Sequence, residues 1–286
     1  MACDLCESEN NFEIIWDKEE REKQGKLQSV IIPGHIHSRN VMCRGCGLIY
    51  VDPKMSREEL AKFYAEDYRK IYGGNNSLEA ERRHARTAYD LLPDDVKLGK
   101  YHLDIGCSTG KLLEITGGYG IEPNEEYCNV TREHCREVAN TTLEEYQGES
   151  KFSTITMLNA LEHVYSPTEV LTKINSLLND DGYVLISVPN IYNRTINLPV
   201  DAFLSNAHLY NFSEFTIRSL FDKCGFKVVN IDHITEEMGD KLYVLGQKHN
   251  GERTSLCAKD PNPKQHLIDA QHVFEIKMAI QRAGFR

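Results

Sequence analysis

The chain has 286 residues, 41% hydrophobic and 27% charged, enough to bury a large core in one or two domains. Its 43 acidic against 33 basic residues leave a net charge of −10, which argues against a nucleic-acid partner and for a small molecule. No apolar run approaches the ~18 residues of a membrane span. The opening MACDLCESEN has neither the basic nor the apolar region of a signal peptide, so a cytoplasmic location is expected. There, nine cysteines serve as thiols or metal ligands rather than disulfides.

Residues 1–55 read as a zinc-binding module. Cys3-x-x-Cys6 and Cys43-x-x-Cys46 each place two sulfurs on one tight turn, and two such knuckles supply a tetrahedral site suited to Zn²⁺. Four thiolates leave no open position, so this site is expected to be structural. A redox C-x-x-C pair is the alternative. The segment between, with DKEEREKQGK and SVIIP, is expected to form a strand or hairpin insertion. Cys107, Cys128, Cys135, Cys224 and Cys257 lack metal spacing and read as small apolar residues.

Residues 56–98 form a helical connector. Ser56 with Glu59 makes a capping box that starts one helix, and SLEAERRHARTAYDLL is a second, stopped near Pro93. Across 99–250 strands and helices alternate. YHLDIG, GYGIEP, FSTITML and GYVLISVPN read as strands, with a weak one near VANTTL. KLLEIT, NEEYCNVTREHCREV, SPTEVLTKINSLL and FSEFTIRSLFDKCG read as helices, and FKVVNIDHI and KLYVLGQK close the series. In SPTEVLTKINSLL, Ser166 caps, Pro167 takes the first helical position, and Val170, Leu171, Ile174, Leu177 and Leu178 share one face. This alternation predicts a doubly wound α/β sheet with its ligand beyond the strand carboxyl ends. The tail, 251–286, carries one amphipathic helix, LIDAQHVFEIKMAIQRAGF.

The stretch LDIGCSTG ends the first of these strands at a turn bracketed by Gly106 and Gly110. It lacks the middle glycine of the dinucleotide fingerprint, which argues against an NAD oxidoreductase. Glu122, 18 positions after Asp104, ends the second strand, where a carboxylate accepts both ribose hydroxyls of a nucleoside. That combination suits S-adenosylmethionine better than NAD.

LDIGCSTG, GIEPNEEY, the run FSTITMLNALEHVYSPTEVLTKINSLLNDDGYVLISVPN and HLYNFSEFTIRSLFDKCGF together resemble a class I S-adenosylmethionine-dependent methyltransferase. CRGCGLIYVDPKMSREELAKFYAEDY resembles the N-terminal zinc-binding module of a subgroup found in sugar and polysaccharide modification. The resemblance implies a seven-stranded Rossmann-like methyltransferase sheet. It also implies that Asp104, Gly106, Cys107 and Gly110 cradle the methionine half of the cofactor and that Glu122 binds the ribose. Asn159, Ala160 and Leu161 would line the cofactor near its sulfonium. The family's usual acid near the start of FSTITM is Ser153 here, and no Asp stands between Asn140 and Leu143, where an adenine contact often sits.

An alcohol acceptor must lose its proton as the methyl group arrives, and histidine is the natural base at neutral pH. His163, just past the fourth strand, and His208, in the loop-rich stretch after the fifth, are the candidates; packing roles are the alternative for both. Tyr192, Arg194 and Tyr210 are candidate acceptor contacts, with Arg194 suited to a phosphate. The expected activity is methyl transfer to a hydroxyl of a sugar, a nucleotide-linked sugar or a polysaccharide precursor. An RNA methyltransferase is disfavoured by the acidic balance. A cofactor-binding protein without catalysis is the reading from another class.

Overall fold

The structure is a computed structural model that describes residues 2–17, 39–64, 78–94, 101–192, 204, 208–236, 239–249, 260 and 262–269. The expected insertion around SVIIP, Arg194 and most of the tail helix lie outside the described residues.

Three strands open the chain: β1 (Phe12–Asp17), β2 (Arg39–Cys43) and β3 (Ile49–Asp52). Two helices follow, α1 (Arg57–Lys62) and α2 (Leu78–Leu91). At α1, Glu59 N–H donates to Ser56 Oγ at 3.2 Å and Ser56 N–H donates to Glu59 Oε2 at 2.8 Å, the reciprocal cap expected from the sequence.

The main sheet begins with β4 (His102–Ile105), α3 (Leu113–Thr116) and β5 (Tyr119–Ile121). Next come α4 (Glu125–Thr131), β6 (Glu137–Ala139) and β7 (Phe152–Leu158). Then follow α5 (Pro167–Leu177), β8 (Leu178–Pro189), the two-residue β9 (Tyr210–Asn211) and α6 (Glu214–Lys223). β10 (Phe226–Glu236) and β11 (Gly239–Lys248) complete the described elements.

Seven strands run in the order β10-β11-β8-β7-β4-β5-β6, with β8-β7-β4-β5-β6 parallel and β11 alone reversed, antiparallel to both β8 and β10. The chain lays β4, β5 and β6 outward on one side, then crosses back to place β7 beside β4. The strand order therefore reverses between β4 and β7, and a crevice opens there. Helix α5 buries Val170, Leu171, Ile174 and Leu177, the face its spacing predicts.

Two elements depart from expectation. Helix α4 stops at Thr131 instead of running through REHCREV. Thr131 is fully buried, and its Oγ1 donates to Ser108 O at 2.8 Å, so the helix end is pinned under the glycine turn. Arg136 N–H then donates to Gly118 O at 2.9 Å and starts β6 beside β5. β8 also begins earlier, at Leu178, because that residue pairs with Phe152 of β7.

The front strands form a second sheet, ordered β1-β2-β3-β9, so its last strand comes from the segment after β8. Tyr50, Val51, Tyr210 and Phe212 join one continuous core with Ile155, Ile186 and Leu220 of the main sheet and its helices. The front sheet and the main sheet thus bury apolar surface against each other.

Candidate active site

The turn after β4 holds its shape by having almost no side chains. Gly106, Ser108 and Gly110 have φ of +70°, +50° and +74°, the left-handed region that favours glycine. A Cβ on Gly106 would lie 3.3 Å from Ala160 Cβ, and one on Gly110 would lie 2.9 Å from Thr131 Cγ2. Gly106 and Cys107 N–H both donate to Ile121 O, at 2.8 and 3.2 Å, locking the turn to β5. Thr109 Oγ1 donates to Glu81 Oε2 of α2 at 2.9 Å.

Glu122 follows β5 directly. One carboxylate oxygen accepts Ser108 N–H at 2.9 Å and the other accepts Asn124 N–H at 3.0 Å. Asp104, near the end of β4, accepts Thr156 Oγ1–H at 2.6 Å. Burial pushes its carboxyl up to about 7, opposed by the Thr156 bond and reinforced by the charge of Glu122. Behind it, His102 Nε2 meets the same Thr156 hydroxyl and Nδ1 meets Thr116 Oγ1, each at 2.8 Å. Burial pushes His102 down to about 4, so it is neutral.

A cavity of about 530 Å³ fills the crevice, within the range of small-molecule sites. On the β5–β6 side it is lined by Ile121, Glu122, Pro123, Thr141 and Leu143. Asp104, Gly106 and Cys107 form its centre, and Asn159, Ala160, His163 and Tyr165 its β7 side. Arg57, Tyr64 and His84 complete the wall from the helical connector. Beside the cavity, Asn140 Nδ2 donates to Glu122 O and Pro123 O, at 3.1 and 2.9 Å.

Asn159 sits just past β7 at φ +49°, its N–H donating to Ser187 O at 2.9 Å. Its amide meets His84 Nε2 at 3.1 Å, while His84 Nδ1 meets Tyr243 Oη at 2.6 Å and Lys241 Nζ at 3.3 Å. The atom of the amide that faces His84 is Nδ2, while Asn159 Oδ1 accepts Ser187 Oγ–H at 3.4 Å. The 3₁₀ turn Leu161–His163 then presents the His163 ring 5.5 Å from Tyr64 and 4.9 Å from His208. Glu162 is buried, its Oε1 3.8 Å from His163 Nε2. Glu162 Oε2 has no hydrogen-bond partner among the described residues. Burial pushes that carboxyl up to about 8, against a backbone hydrogen bond and the charge of Lys241.

Of the residues singled out from the sequence, Asp104, Gly106, Cys107, Glu122, Asn159, Ala160 and His163 line the cavity. Gly110 packs on Thr131 beneath the turn, Leu161 lies fully buried in the core, and His208 stands against His163. Tyr192 and Tyr210 do not line this cavity. Tyr192 stacks on His266 at 4.7 Å, beside a small cluster of Met42, Ile49, Ile191 and Leu204. Tyr210 is buried in the front sheet, its hydroxyl accepting from Lys54 Nζ at 2.7 Å and donating to Tyr165 O at 3.0 Å. Both rings were drawn into apolar packing, which an aromatic residue in a loop does not announce. The sequence reading missed Arg57, Tyr64, His84 and Tyr165. Of these, His84 had a signal: Glu81, His84, Ala85 and Ala88 share a helical face of small or polar residues.

The four front cysteines converge. Cys3 and Cys46 sulfurs are 3.6 Å apart and those of Cys6 and Cys43 are 3.5 Å apart. Zn–S bonds of ~2.3 Å in a tetrahedron separate sulfurs by about 3.8 Å, so the cluster has the size of a closed zinc site. All four are free thiols, not disulfides. Asp4, inside the first knuckle, accepts Ser166 Oγ–H at 2.6 Å and Thr168 N–H at 2.9 Å. The knuckle thereby places a carboxylate at the N-terminus of α5.

A family profile described as a methyltransferase domain matches residues 77–231, more than half of the chain. The ubiquinone biosynthesis O-methyltransferase of Actinobacillus pleuropneumoniae is 32% identical over 109 residues, covering 32% of this chain and 47% of that protein. The uncharacterized protein MJ1252 of Methanocaldococcus jannaschii is 28% identical over 143 residues, covering 49% of this chain and 54% of that protein. The chain thus spans about half the length of the curated relatives it matches. Among solved structures, the 1,6-didemethyltoxoflavin-N1-methyltransferase of Burkholderia thailandensis, determined with 1,6-didemethyltoxoflavin and S-adenosylhomocysteine, superposes with a TM-score of 0.56. It is 18% identical and covers 77% of this chain and 100% of its own. The magnesium protoporphyrin IX methyltransferase of Synechocystis, determined with S-adenosylhomocysteine, gives 0.54 at 16% identity over 68% of this chain and 100% of its own. At such identities these two establish a shared Rossmann-like fold. The domain match, enclosing both the glycine turn and Glu122, places this chain among the class I S-adenosylmethionine-dependent methyltransferases.

Proposed function

We propose that the protein methylates a hydroxyl of a small acceptor, a sugar, nucleotide-linked sugar or polysaccharide precursor, in the cytoplasm. One observation carries the reading: a single cavity joins the Glu122 carboxylate at one side to the His163 ring at the other. The bound cofactor would supply a methyl group already activated on a sulfonium. The residues present fit that group. Glu122 is held by two N–H groups at the edge of the cavity, where a carboxylate suits ribose, and the bare turn at Gly106 leaves room for the methionine half. Asp104 offers a carboxylate to its ammonium.

Transfer then needs mainly positioning, with the acceptor oxygen roughly 3 Å from the methyl carbon. Tyr64 and Tyr165 give the acceptor end flat apolar faces on which a sugar ring packs. Arg57 lies 4.2 Å over the Tyr165 ring, where both Glu169 carboxylate oxygens accept from its Nη2 at 2.8 and 2.7 Å. His163 and His208 assist the hydroxyl proton in leaving. The Cys3, Cys6, Cys43 and Cys46 thiolates hold a structural Zn²⁺, keeping the front sheet and, through Asp4, the start of α5 in place. The chain's similarity to O-methyltransferases of ubiquinone biosynthesis supports oxygen as the methylated atom.

Release of S-adenosylhomocysteine across a panel of sugar nucleotides, free sugars and phenols is the test. Turnover with a hydroxylated sugar nucleotide is the expected result. Turnover with phenols alone would replace the acceptor class, and transfer only to nitrogen acceptors would overturn the reading.

A further inference from the structure

We infer that Glu162, His163 and His208 bind one divalent transition-metal ion at the acceptor end of the cavity, with a coordination position open to the acceptor hydroxyl. The inference rests on the functional reading above for the identity of that last ligand; the ion site itself stands on the geometry.

One carboxylate oxygen and one nitrogen from each imidazole lie within 4.8 Å of one another. The two rings meet edge to face at 70°, with their centroids 4.9 Å apart. Glu162 is 1% exposed, and its Oε2 has no hydrogen-bond partner among the described residues. A buried carboxylate is costly without a compensating charge, and a dication held at Oε1, the oxygen 3.8 Å from His163 Nε2, offsets that cost. The three residues also differ in kind from the cysteine cluster. Four thiolates close a tetrahedral shell, whereas two imidazoles and a carboxylate leave at least one position for water or substrate. Imidazole and carboxylate ligands suit zinc, manganese and iron rather than magnesium or calcium. His163 lines the cavity, so the open position faces the space left for the acceptor.

The chemistry balances without a redox partner. An acceptor hydroxyl bound to the ion becomes acidic and releases its proton to solvent. The resulting oxygen forms the new C–O bond as the S–C bond of the sulfonium breaks, leaving a thioether and a methyl ether. His163 and His208 then act as ligands, and neither needs to take the proton itself.

Cobalt(II) is the probe, titrated into the full zinc-bearing chain and followed by visible absorption. The expected result is one equivalent bound with weak ligand-field bands and no sulfur-to-cobalt charge transfer, displaced by added Zn²⁺. Glu162→Gln and His208→Ala should each weaken that binding by more than about tenfold, while both still bind S-adenosylhomocysteine as evidence of an intact fold. Cobalt entering only the thiolate site, or binding equally in wild type and both variants, would overturn the inference and leave a hydrogen-bonded acid–imidazole relay in its place. Failure of the functional reading looks different: S-adenosylhomocysteine would not bind, whatever cobalt does.

Discussion

The two ends of the cavity are made of opposite materials. At the cofactor end the backbone does the holding. Residues 104–124 run through two adjacent parallel strands, and the turn between is tied by N–H bonds to Ile121 and Glu122. At the acceptor end side chains do the holding, and they come from distant parts of the chain. Arg57 and Tyr64 are on or just past α1, His163 is beyond β7, and His208 precedes β9. The acceptor end therefore depends on the front sheet, which carries α1 on one side and takes β9 as its last strand. Cofactor binding and acceptor binding should fail separately.

The largest separation is expected from Cys43→Ala. Opening the thiolate site loosens the front sheet and Asp4 with it, so methyl transfer should be lost while S-adenosylhomocysteine affinity changes little. Calorimetry beside a turnover assay checks it, and equal loss of both would show the two ends to be one unit. His208→Ala should lower kcat by about 10²–10⁴-fold, the usual loss when assistance to a departing proton is removed. Its cofactor affinity should match wild type; if turnover persists, the proton leaves without that ring.

Glu122→Ala acts at the other end. It removes charged hydrogen bonds to ribose and should weaken S-adenosylhomocysteine binding by about 1–3 kcal/mol, roughly fivefold to 150-fold in Kd. Unchanged affinity would take Glu122 out of the site. The smallest effect is a pH dependence. Asp104 has its carboxyl raised to about 7 in the folded protein, so part of it is protonated at neutral pH. A ligand ammonium favours the ionised form, so binding must expel that proton whenever the pH is below about 7. Affinity for S-adenosylhomocysteine should thus rise as pH increases from 6 to 8, by less than about tenfold per unit. An Asp104→Asn variant should lose that slope. A slope retained in the variant would assign it to another group.

The same contrast explains what could be read from the sequence. Gly106, Gly110 and Glu122 fall within one strand–turn–strand unit, so short-range spacing sufficed. The helix of SPTEVLTKINSLL was legible for a similar reason, since its cap and its apolar face are local. The cysteine pairs were legible because each knuckle is a four-residue turn. The acceptor wall was not, because Tyr64, His163 and His208 meet only after the front sheet has joined the main one. Tyr192 and Tyr210 illustrate the reverse case, rings that do not line the cavity. Their position after β8 pointed to the acceptor, but burial in neighbouring apolar clusters took both rings elsewhere. Helix α4 was overextended because its residues favour helix, while the tertiary bond from Thr131 to Ser108 ends it.

The most direct measurement is a calorimetric titration of the zinc-bearing protein with S-adenosylhomocysteine, with NAD as the control ligand. Micromolar binding of the first and none of the second is the predicted result. Binding of NAD, or of neither, would contradict the assignment of the glycine turn and Glu122 to the S-adenosyl cofactor.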